Sequence, residues 1–281
     1  MAPTQLTFGH ASHVGLRRTD NQDAWGIFPP EEDGTTPARS RLFDVADGMG
    51  GHLGGREASG TAVEAIEATF FAPAGGAGGD VPERLRQAFE VANRRIYERA
   101  HNDPALYGMG TTCTALALEA DRAWIAHVGD SRAYRIAEND IRQLTDDHTR
   151  VGEMVRRHLL SEEEAASHPS RNILNRAMGV HPEVEVDLFE TEPLRPGEAV
   201  LLCSDGLTGV PLDAIRATVL AHAPPEACRQ LVQMANDRGG HDNVTVVIVR
   251  AAEEAPPKRR PRWSGVLLLL LLLALAFVLT A

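Results

Sequence analysis

Hydrophobic residues along this chain recur in two spacings, one typical of strands and one typical of helices. Apolar runs predict early strands at residues 5–15 and 41–46, and apolar residues three to four apart predict a helix at 56–71 and another opened by Pro82. Later runs predict strands at 112–118, 123–128, 133–136, 199–203 and 244–249, and helices at 212–221 and 225–237. Residues 147–180 are polar and irregular, with short helical pieces. Many strands with helices grouped outside them predict a layered α+β fold.

The end of the chain has a different pattern. Residues 266–281 are apolar except for Thr280, and a helix over residues 263–281 would be about 28 Å long, close to the thickness of a bilayer core. Basic residues precede it, namely Lys258, Arg259, Arg260 and Arg262. The positive-inside rule then keeps the preceding domain in the cytoplasm. A buried core helix is the alternative, but an unbroken leucine run has no polar face for water.

The sequence therefore predicts three parts. These are a globular domain at residues 1–252, a proline-containing linker at 253–262 that passes from acidic to basic, and a transmembrane helix at 263–281. No basic patch followed by an apolar run opens the chain, so we expect no secretory signal. The predicted location is the cell membrane, single-pass, with the globular domain cytoplasmic.

Charge and composition exclude several classes of protein. The net charge is −11, and because residues 256–281 hold four cations and no anions, residues 1–255 carry −15. This acidity argues against a nucleic-acid partner. Lys258 is the only lysine, and it lies in the predicted linker. A P-loop ATPase needs a lysine after its glycine-rich turn, and a protein kinase needs one on an early strand, so both classes are excluded. Three distant cysteines, none with an arginine six residues later, indicate no disulfide framework, zinc knuckle or cysteine-phosphatase loop.

Four aspartates stand at the ends of predicted strands. Asp47, Asp130 and Asp205 follow apolar strands, and Asp242 precedes one. A turn or cap role is the alternative for any single aspartate, but strand ends of a layered fold can bring such side chains together. Clustered carboxylates repel one another unless cations neutralise them, and a set of oxygen ligands favours Mg²⁺ or Mn²⁺. Two such ions can activate water for in-line attack on phosphorus.

A polar stretch at residues 15–23 contains an arginine fork. Arg18 has the planar, two-pronged geometry that binds two phosphate oxygens at once. Asp23 in the same stretch could add a metal ligand or hold a metal-bound water. Read alone, this stretch is a polar turn, and only its place beside an acidic metal site gives Arg18 the phosphate-binding interpretation.

Seven motifs in this order resemble the metal-dependent type 2C (PPM) serine/threonine protein phosphatases in their bacterial form. They are GLRRTDNQD (15–23), VADGMGGH (45–52), MGTT (109–112), VGDSR (128–132), LTDDH (144–148), CSDGL (203–207) and DNVT (242–245). The resemblance extends over residues 10–250. It implies a central antiparallel β-sandwich flanked by α-helices on both sides, in four layers, to which the tail would add the transmembrane helix.

The resemblance also implies the metal ligands. These are Asp47, Gly48, Asp130, Asp205 and Asp242. By motif position, Asp47 bridges two Mn²⁺ or Mg²⁺ ions and Gly48 contributes its carbonyl. Asp205 and Asp242 bind one of the two ions, and Asp130 with Asp205 matches the position of a weaker third ion.

The implied catalytic residues are Arg18, Asp23 and His52. Arg18 matches the phosphate-binding arginine, and Asp23 matches an acid that orients metal-bound water. Two positions depart from the family pattern: Gln22 stands where many members have glutamate, and Met49 stands where animal members have a proposed acid histidine. His52 is the nearest candidate for proton delivery or phosphate contact, with a metal-bound water as the alternative.

The implied activity is hydrolysis of phosphoserine and phosphothreonine in proteins by a metal-bridging hydroxide. The implied partners are phosphoproteins and a cognate bacterial serine/threonine kinase whose action this enzyme opposes at the membrane. A catalytically inactive phosphosite-binding module is the alternative, and a dinuclear-metal nuclease fits the carboxylates but not the charge. Residues 147–180 match the family's flap, where we expect peptide selectivity.

Overall fold

Two antiparallel sheets lie at the centre of this protein, seen in a computed structural model that describes residues 5–29, 40–72 and 80–252. The first sheet has the order β1 (Leu6–His13), β11 (Val244–Ala251), β10 (Ala199–Cys203), β7 (Arg132–Ala137) and β8 (Asp140–Gln143). The second has the order β2 (Asp23–Phe28), β3 (Ser40–Met49), β5 (Cys113–Glu119), β6 (Arg122–Val128) and β9 (Asp187–Thr191). The two-residue β4 (Gly110–Thr111) pairs with the end of β3.

Helices cover the outer face of each sheet. The second sheet packs on α1 (Gly51–Phe70) and α2 (Val81–Asn102), and the first packs on α5 (Leu212–Ala221) and α6 (Pro224–Asp237). A third apolar layer fills the space between the sheets. Two shorter helices, α3 (Arg150–Arg156) and α4 (Glu162–Ser167), lie in the segment between β8 and β9. The predicted α+β sandwich with helices on both sides is confirmed for the described residues.

The predicted transmembrane helix at residues 263–281 lies outside the described residues, as does the linker from residue 253. Among residues 5–29, 40–72 and 80–252, no helix combines the length and apolar character that crossing a bilayer requires.

Burial on both faces explains why β3 has apolar residues at neighbouring positions on both sides of Asp44. Phe43 and Val45 pack between the two sheets, whereas Leu42 and Ala46 pack against the layer of α1 and α2. Successive side chains point to opposite faces of a strand, so a strand covered on both faces favours apolar residues at consecutive positions. The same reasoning applies to β10, which is buried throughout.

Several elements differ from the sequence prediction. The strands β2, β8 and β9 and the two-residue β4 were not predicted. In β2, Gly26 interrupts the apolar pattern. A Cβ on Gly26 would lie 2.6 Å from Asp44 Oδ1, so close packing requires glycine there. Helix α1 begins at Gly51, five residues before the predicted start at Arg56. Its glycine-rich first turn reads as a loop, yet a Cβ on Gly48 would lie 2.0 Å from the carbonyl oxygen of Gly55, and only glycine permits this approach.

A carboxyl group is buried in the apolar layer beneath α1. Asp44 is fully buried on β3, and among the described residues neither of its carboxyl oxygens has a hydrogen-bond partner. Burial, together with the negative charge of Glu67, raises the pKa of Asp44 to about 8. The fold therefore holds this side chain mostly protonated at neutral pH.

Replacing Asp44 by asparagine should change how stability depends on pH. The folded state retains a proton that the unfolded chain releases, so this group lowers stability progressively as pH rises from its unfolded pKa of 3.8 to about 8. We expect the free energy of unfolding of the wild type, relative to Asp44→Asn, to fall across this window by up to about 1.4 kcal/mol per pH unit. Urea denaturation of both proteins at several pH values across this range measures the change in the free energy of unfolding. Asp140→Asn, at an exposed position of β8, is the control. Parallel curves for the wild type and Asp44→Asn would contradict the prediction.

Candidate active site

One cavity of about 370 Å³ opens at an end of the sandwich. Six predicted site residues line it: Arg18, Asp47, Gly48, Asp130, Asp205 and Asp242. The aspartates come from both sheets. Asp47 lies on β3 and Asp130 follows β6 of the second sheet, while Asp205 follows β10 and Asp242 precedes β11 of the first. The four aspartates that the sequence places at strand ends therefore lie together around one cavity.

The cavity concentrates negative charge. Asp20 adds a fifth carboxyl to its wall, and Arg18 is the one charged cation among the described lining residues. Burial and repulsion between neighbours raise the pKa of Asp47 well above its usual value, and they raise the pKa values of Asp130 to about 7 and of Asp205 to about 6. Such shifts are typical of buried carboxylates whose nearest charged neighbours are mainly other carboxylates.

Arg18 pairs with one of the predicted metal ligands. Its Nη2 donates to Oδ2 of Asp242 at 2.7 Å, and that carboxylate also accepts from the backbone N–H of Asn243 at 2.8 Å. The hydrogen bond and the charge of Asp242 raise the pKa of Arg18. The Arg18 side chain is 55% exposed, so its guanidinium lies at the mouth of the cavity and within reach of a ligand from solvent.

The loop that carries Arg18 is held by the side chain of Asn243. Its Nδ2 donates to the carbonyls of Val14 and Asp20, both at 2.9 Å, and its Oδ1 accepts from the backbone N–H of Gln22 at 2.8 Å. Three bonds from one amide thus fix the loop on both sides of Arg18.

Substituting Asn243 by aspartate should loosen this loop with little change in shape. A carboxylate only accepts hydrogen bonds, so the carbonyls of Val14 and Asp20 would lose their donor. We expect kcat/KM for a phosphate monoester to fall about 10- to 100-fold, the scale of one to two buried hydrogen bonds. Steady-state kinetics with p-nitrophenyl phosphate measures this fall, and Asn139→Asp in the exposed turn before β8 is the control. Equal kinetics for the two variants would contradict the role of Asn243.

Two threonines fix the backbone of Asp47. Thr112 donates its backbone N–H to the Asp47 carbonyl at 2.9 Å, and its Oγ1 accepts from the Asp47 N–H at 3.0 Å. Thr111 Oγ1 donates to the same carbonyl at 2.9 Å. The MGTT motif therefore sets the position of the Asp47 carboxyl.

Asp23 does not line the cavity. It lies opposite Asp47 in the pairing of β2 and β3, is partly buried with Oδ1 shielded from solvent, and accepts a hydrogen bond from Ser204 Oγ at 2.8 Å. Burial raises the pKa of Asp23 to about 7. Gln22 and Met49, the two departures from the family pattern, both line the cavity. The side chain of His52 lies outside the described part of the structure.

The segment predicted as a flap contributes to the cavity wall. Asn172 and Leu174 line it, although the sequence singled out neither. Leu174 pairs with Thr149 in an isolated bridge, which holds this stretch beside α3. From the sequence alone this segment was predicted only as polar and irregular with short helical pieces, and no residue pattern in it could identify the two side chains.

The donor set fits divalent metal ions. The cavity offers oxygen donors from aspartates and Gly48, and Asp205 Oδ1 is buried with no hydrogen-bond partner among the described residues. Hard ions such as Mg²⁺ and Mn²⁺ prefer such ligands. In the described ranges, no three acidic, histidine or cysteine side chains already enclose one ion position. One of the four aspartates, Asp242, is paired with Arg18 instead.

Comparisons with known proteins match most of the chain. A family model described as "Protein phosphatase 2C" matches residues 12–248. The serine/threonine phosphatase stp of Listeria welshimeri is 37% identical over 242 residues, which cover 84% of this chain and 92% of that protein.

Two solved structures share the fold. The crystal structure of the Mycobacterium tuberculosis serine/threonine phosphatase PstP/Ppp matches with a TM-score of 0.76 at 36% identity, covering 89% of this chain and 99% of that one. A structure of the PstP catalytic domain in complex with two manganese ions matches with a TM-score of 0.74 at 34% identity, covering 88% and 99%.

Proposed function

This chain belongs to the protein phosphatase 2C family and is a serine/threonine phosphatase, and from this premise we propose that it hydrolyses phosphoserine and phosphothreonine in proteins with divalent metal ions at the aspartate-lined cavity. The observation that carries the proposal is the convergence of Asp47, Asp130, Asp205 and Asp242 beside Arg18. A cavity of this charge would repel a phosphate ester unless cations were bound.

The proposed metal ligands are the residues that the family resemblance implies. Asp47, the Gly48 carbonyl, Asp205 and Asp242 would hold two Mn²⁺ or Mg²⁺ ions, and Asp130 with Asp205 would hold a weaker third. When bound, these ions supply Lewis acidity, which lowers the pKa of water and stabilises negative charge on phosphoryl oxygens.

Arg18 is proposed to bind the substrate phosphate. Its guanidinium must exchange Asp242 for two phosphate oxygens, which frees that carboxylate for a metal ion. Asp23 is proposed to orient the attacking water from its position opposite Asp47 on β2. The hydrogen bond from Ser204 fixes one carboxyl oxygen of Asp23, so the other, Oδ1, is available to hold a proton.

His52, the second residue of α1, is proposed to deliver a proton to the leaving serine or threonine oxygen. A general acid is needed most for a poor leaving group. His52→Gln should therefore slow hydrolysis of a phosphothreonine peptide more than that of p-nitrophenyl phosphate. Equal slowing of both would exclude this role.

Residues 263–281 are proposed to anchor the enzyme in the cell membrane, with the phosphatase domain in the cytoplasm. The support is the apolar run and its basic flank. At that surface it would oppose a serine/threonine kinase. Cell fractionation of the full chain and of a chain ending at residue 262 tests the anchor.

The activity is tested with the purified full chain and a phosphothreonine peptide. We expect phosphate release with Mn²⁺ or Mg²⁺ and none after chelation. Peptide binding without turnover under all metal conditions would favour the inactive phosphosite-binding module. Cleavage of DNA or RNA by the same preparation would favour the nuclease.

A further inference from the structure

A second cavity, of about 380 Å³, lies beside the catalytic one. Its lining residues, here called the arginine pocket, are His148, Glu153, Arg156, Arg157, Asn175 and Arg176. The lining holds three guanidinium groups and one carboxylate, and Asp187 and Glu185 pair with Arg176 from outside the lining, in a domain that is acidic as a whole. This positive lining suits an anionic ligand.

One stretch of chain forms a wall of both cavities. Asn172 and Leu174 line the catalytic cavity, and the next two residues, Asn175 and Arg176, line the arginine pocket. An extended peptide advances about 3.3 Å per residue. Because the two cavities share this wall, a peptide with its phosphoresidue in the first cavity would reach the second within a few residues, on the order of three to five.

The three arginines differ in how their charge is compensated. Arg157 Nη2 pairs with Glu153 Oε1 at 2.5 Å, and Arg176 Nη1 pairs with Asp187 Oδ1 at 2.5 Å. Arg156 donates from Nη1 to the backbone carbonyl of Asp147 at 3.0 Å, and no carboxylate in the described ranges pairs with it. A guanidinium has five N–H donors, so Arg156 retains both charge and donors for a ligand.

The pocket is built on a fixed base. His148 Nδ1 accepts from the Gly129 N–H at 3.0 Å, so the ring proton is assigned to Nε2, which faces Asp187 Oδ2 at 3.1 Å. The His148 carbonyl accepts from the Asn175 N–H at 2.7 Å. Burial and the positive charges of Arg176 and Arg156 lower the pKa of His148, so the arginines supply the positive charge.

We propose that the arginine pocket binds an acidic group of the substrate, either a carboxylate side chain or a second phosphate, about three to five residues from the phosphoresidue. This inference rests on the proposed function and specifies its substrate class: phosphoproteins with acidic sequence around the phosphosite. Arg156 is the specificity-determining residue, and it acts on substrate binding rather than on the reacting phosphate.

The test compares two phosphothreonine peptides. One has glutamates at the positions three to five residues before and after the phosphothreonine, and the other has glutamines at the same positions. With Mn²⁺, the full chain should show a kcat/KM about tenfold higher for the acidic peptide than for the glutamine peptide. The difference should come mostly from a lower KM. A tenfold difference is about the size expected for one charge-assisted contact. Arg156→Gln should bring this ratio close to one, and Arg156→Glu should reverse it. Arg95→Gln and Arg95→Glu, at an exposed position of α2, remove the same charge elsewhere and should keep the wild-type ratio.

Two further measurements separate the possible outcomes. Peptide affinity from fluorescence anisotropy does not depend on turnover: an acidic preference without hydrolysis would support the pocket and count against the proposed function. Equal affinities for both peptides, or an unchanged ratio in Arg156→Glu, would overturn the pocket. Inhibition of p-nitrophenyl phosphate hydrolysis by inorganic phosphate is the last measurement. If Arg156→Glu changes that inhibition but not the peptide ratio, the pocket binds free phosphate and the assignment to substrate is overturned.

Discussion

Replacing Asp205 by asparagine is expected to lower kcat/KM at least about 10³-fold. Asp205 lines the catalytic cavity and has a buried carboxyl oxygen without a hydrogen-bond partner in the described structure. The amide has almost the same shape, so the substitution removes charge and leaves the packing intact. Loss of a metal ligand removes several kcal/mol of transition-state stabilisation, and each 1.4 kcal/mol is about a factor of ten in rate.

The measurement combines Mn²⁺-dependent hydrolysis of p-nitrophenyl phosphate with calorimetric titration of Mn²⁺. The variant should lose both activity and metal affinity while keeping its thermal unfolding transition. Asp213→Asn on α5 is the matched control, since its side chain is 94% exposed and remote from the cavity lining. Full turnover by Asp205→Asn would defeat the metal assignment.

Replacing Arg18 by alanine is the second large effect we expect, with kcat/KM lowered about 10²-fold. The loss should come mainly from KM, because a bidentate phosphate contact disappears whereas the aspartates remain. The inhibition constant of inorganic phosphate should rise in parallel with KM, since phosphate would use the same guanidinium.

Arg17→Ala is the control for this prediction. Arg17 precedes Arg18, is exposed, and does not line the cavity. If Arg18→Ala lowers kcat but keeps the affinity for phosphate, the role of Arg18 is to position Asp242 and not to bind the substrate.

The candidate site was largely predictable because its carboxylates sit where strands end. Asp47, Asp130, Asp205 and Asp242 were singled out by the apolar runs beside them, and all four line one cavity. The ends of neighbouring strands lie together at the rim of a sandwich. Residues at strand ends are therefore close in space even when they are far apart in the sequence. The pairing of Arg18 with Asp242 was not predictable, since it joins residues 224 positions apart through side-chain geometry.

Several of the parts that the sequence did not predict depend on contacts made only in the folded protein. Gly26 within β2 and the glycines at the start of α1 weaken the local signal for regular structure, yet contacts in the folded protein require them. The arginine pocket combines side chains of α3 with residues after α4. Neither segment has a motif of its own, so only the folded arrangement shows their shared charge.

The pairing of the first and last described strands has a practical consequence. Leu6 of β1 lies opposite Ala251 of β11, and β11 begins two residues after Asp242 and runs about 23 Å away from it. Both ends of the domain therefore emerge at the pole opposite the cavity. An affinity tag, fusion protein or solid support joined at either end would leave the opening unobstructed, so an immobilised form should accept whole phosphoproteins as readily as short peptides.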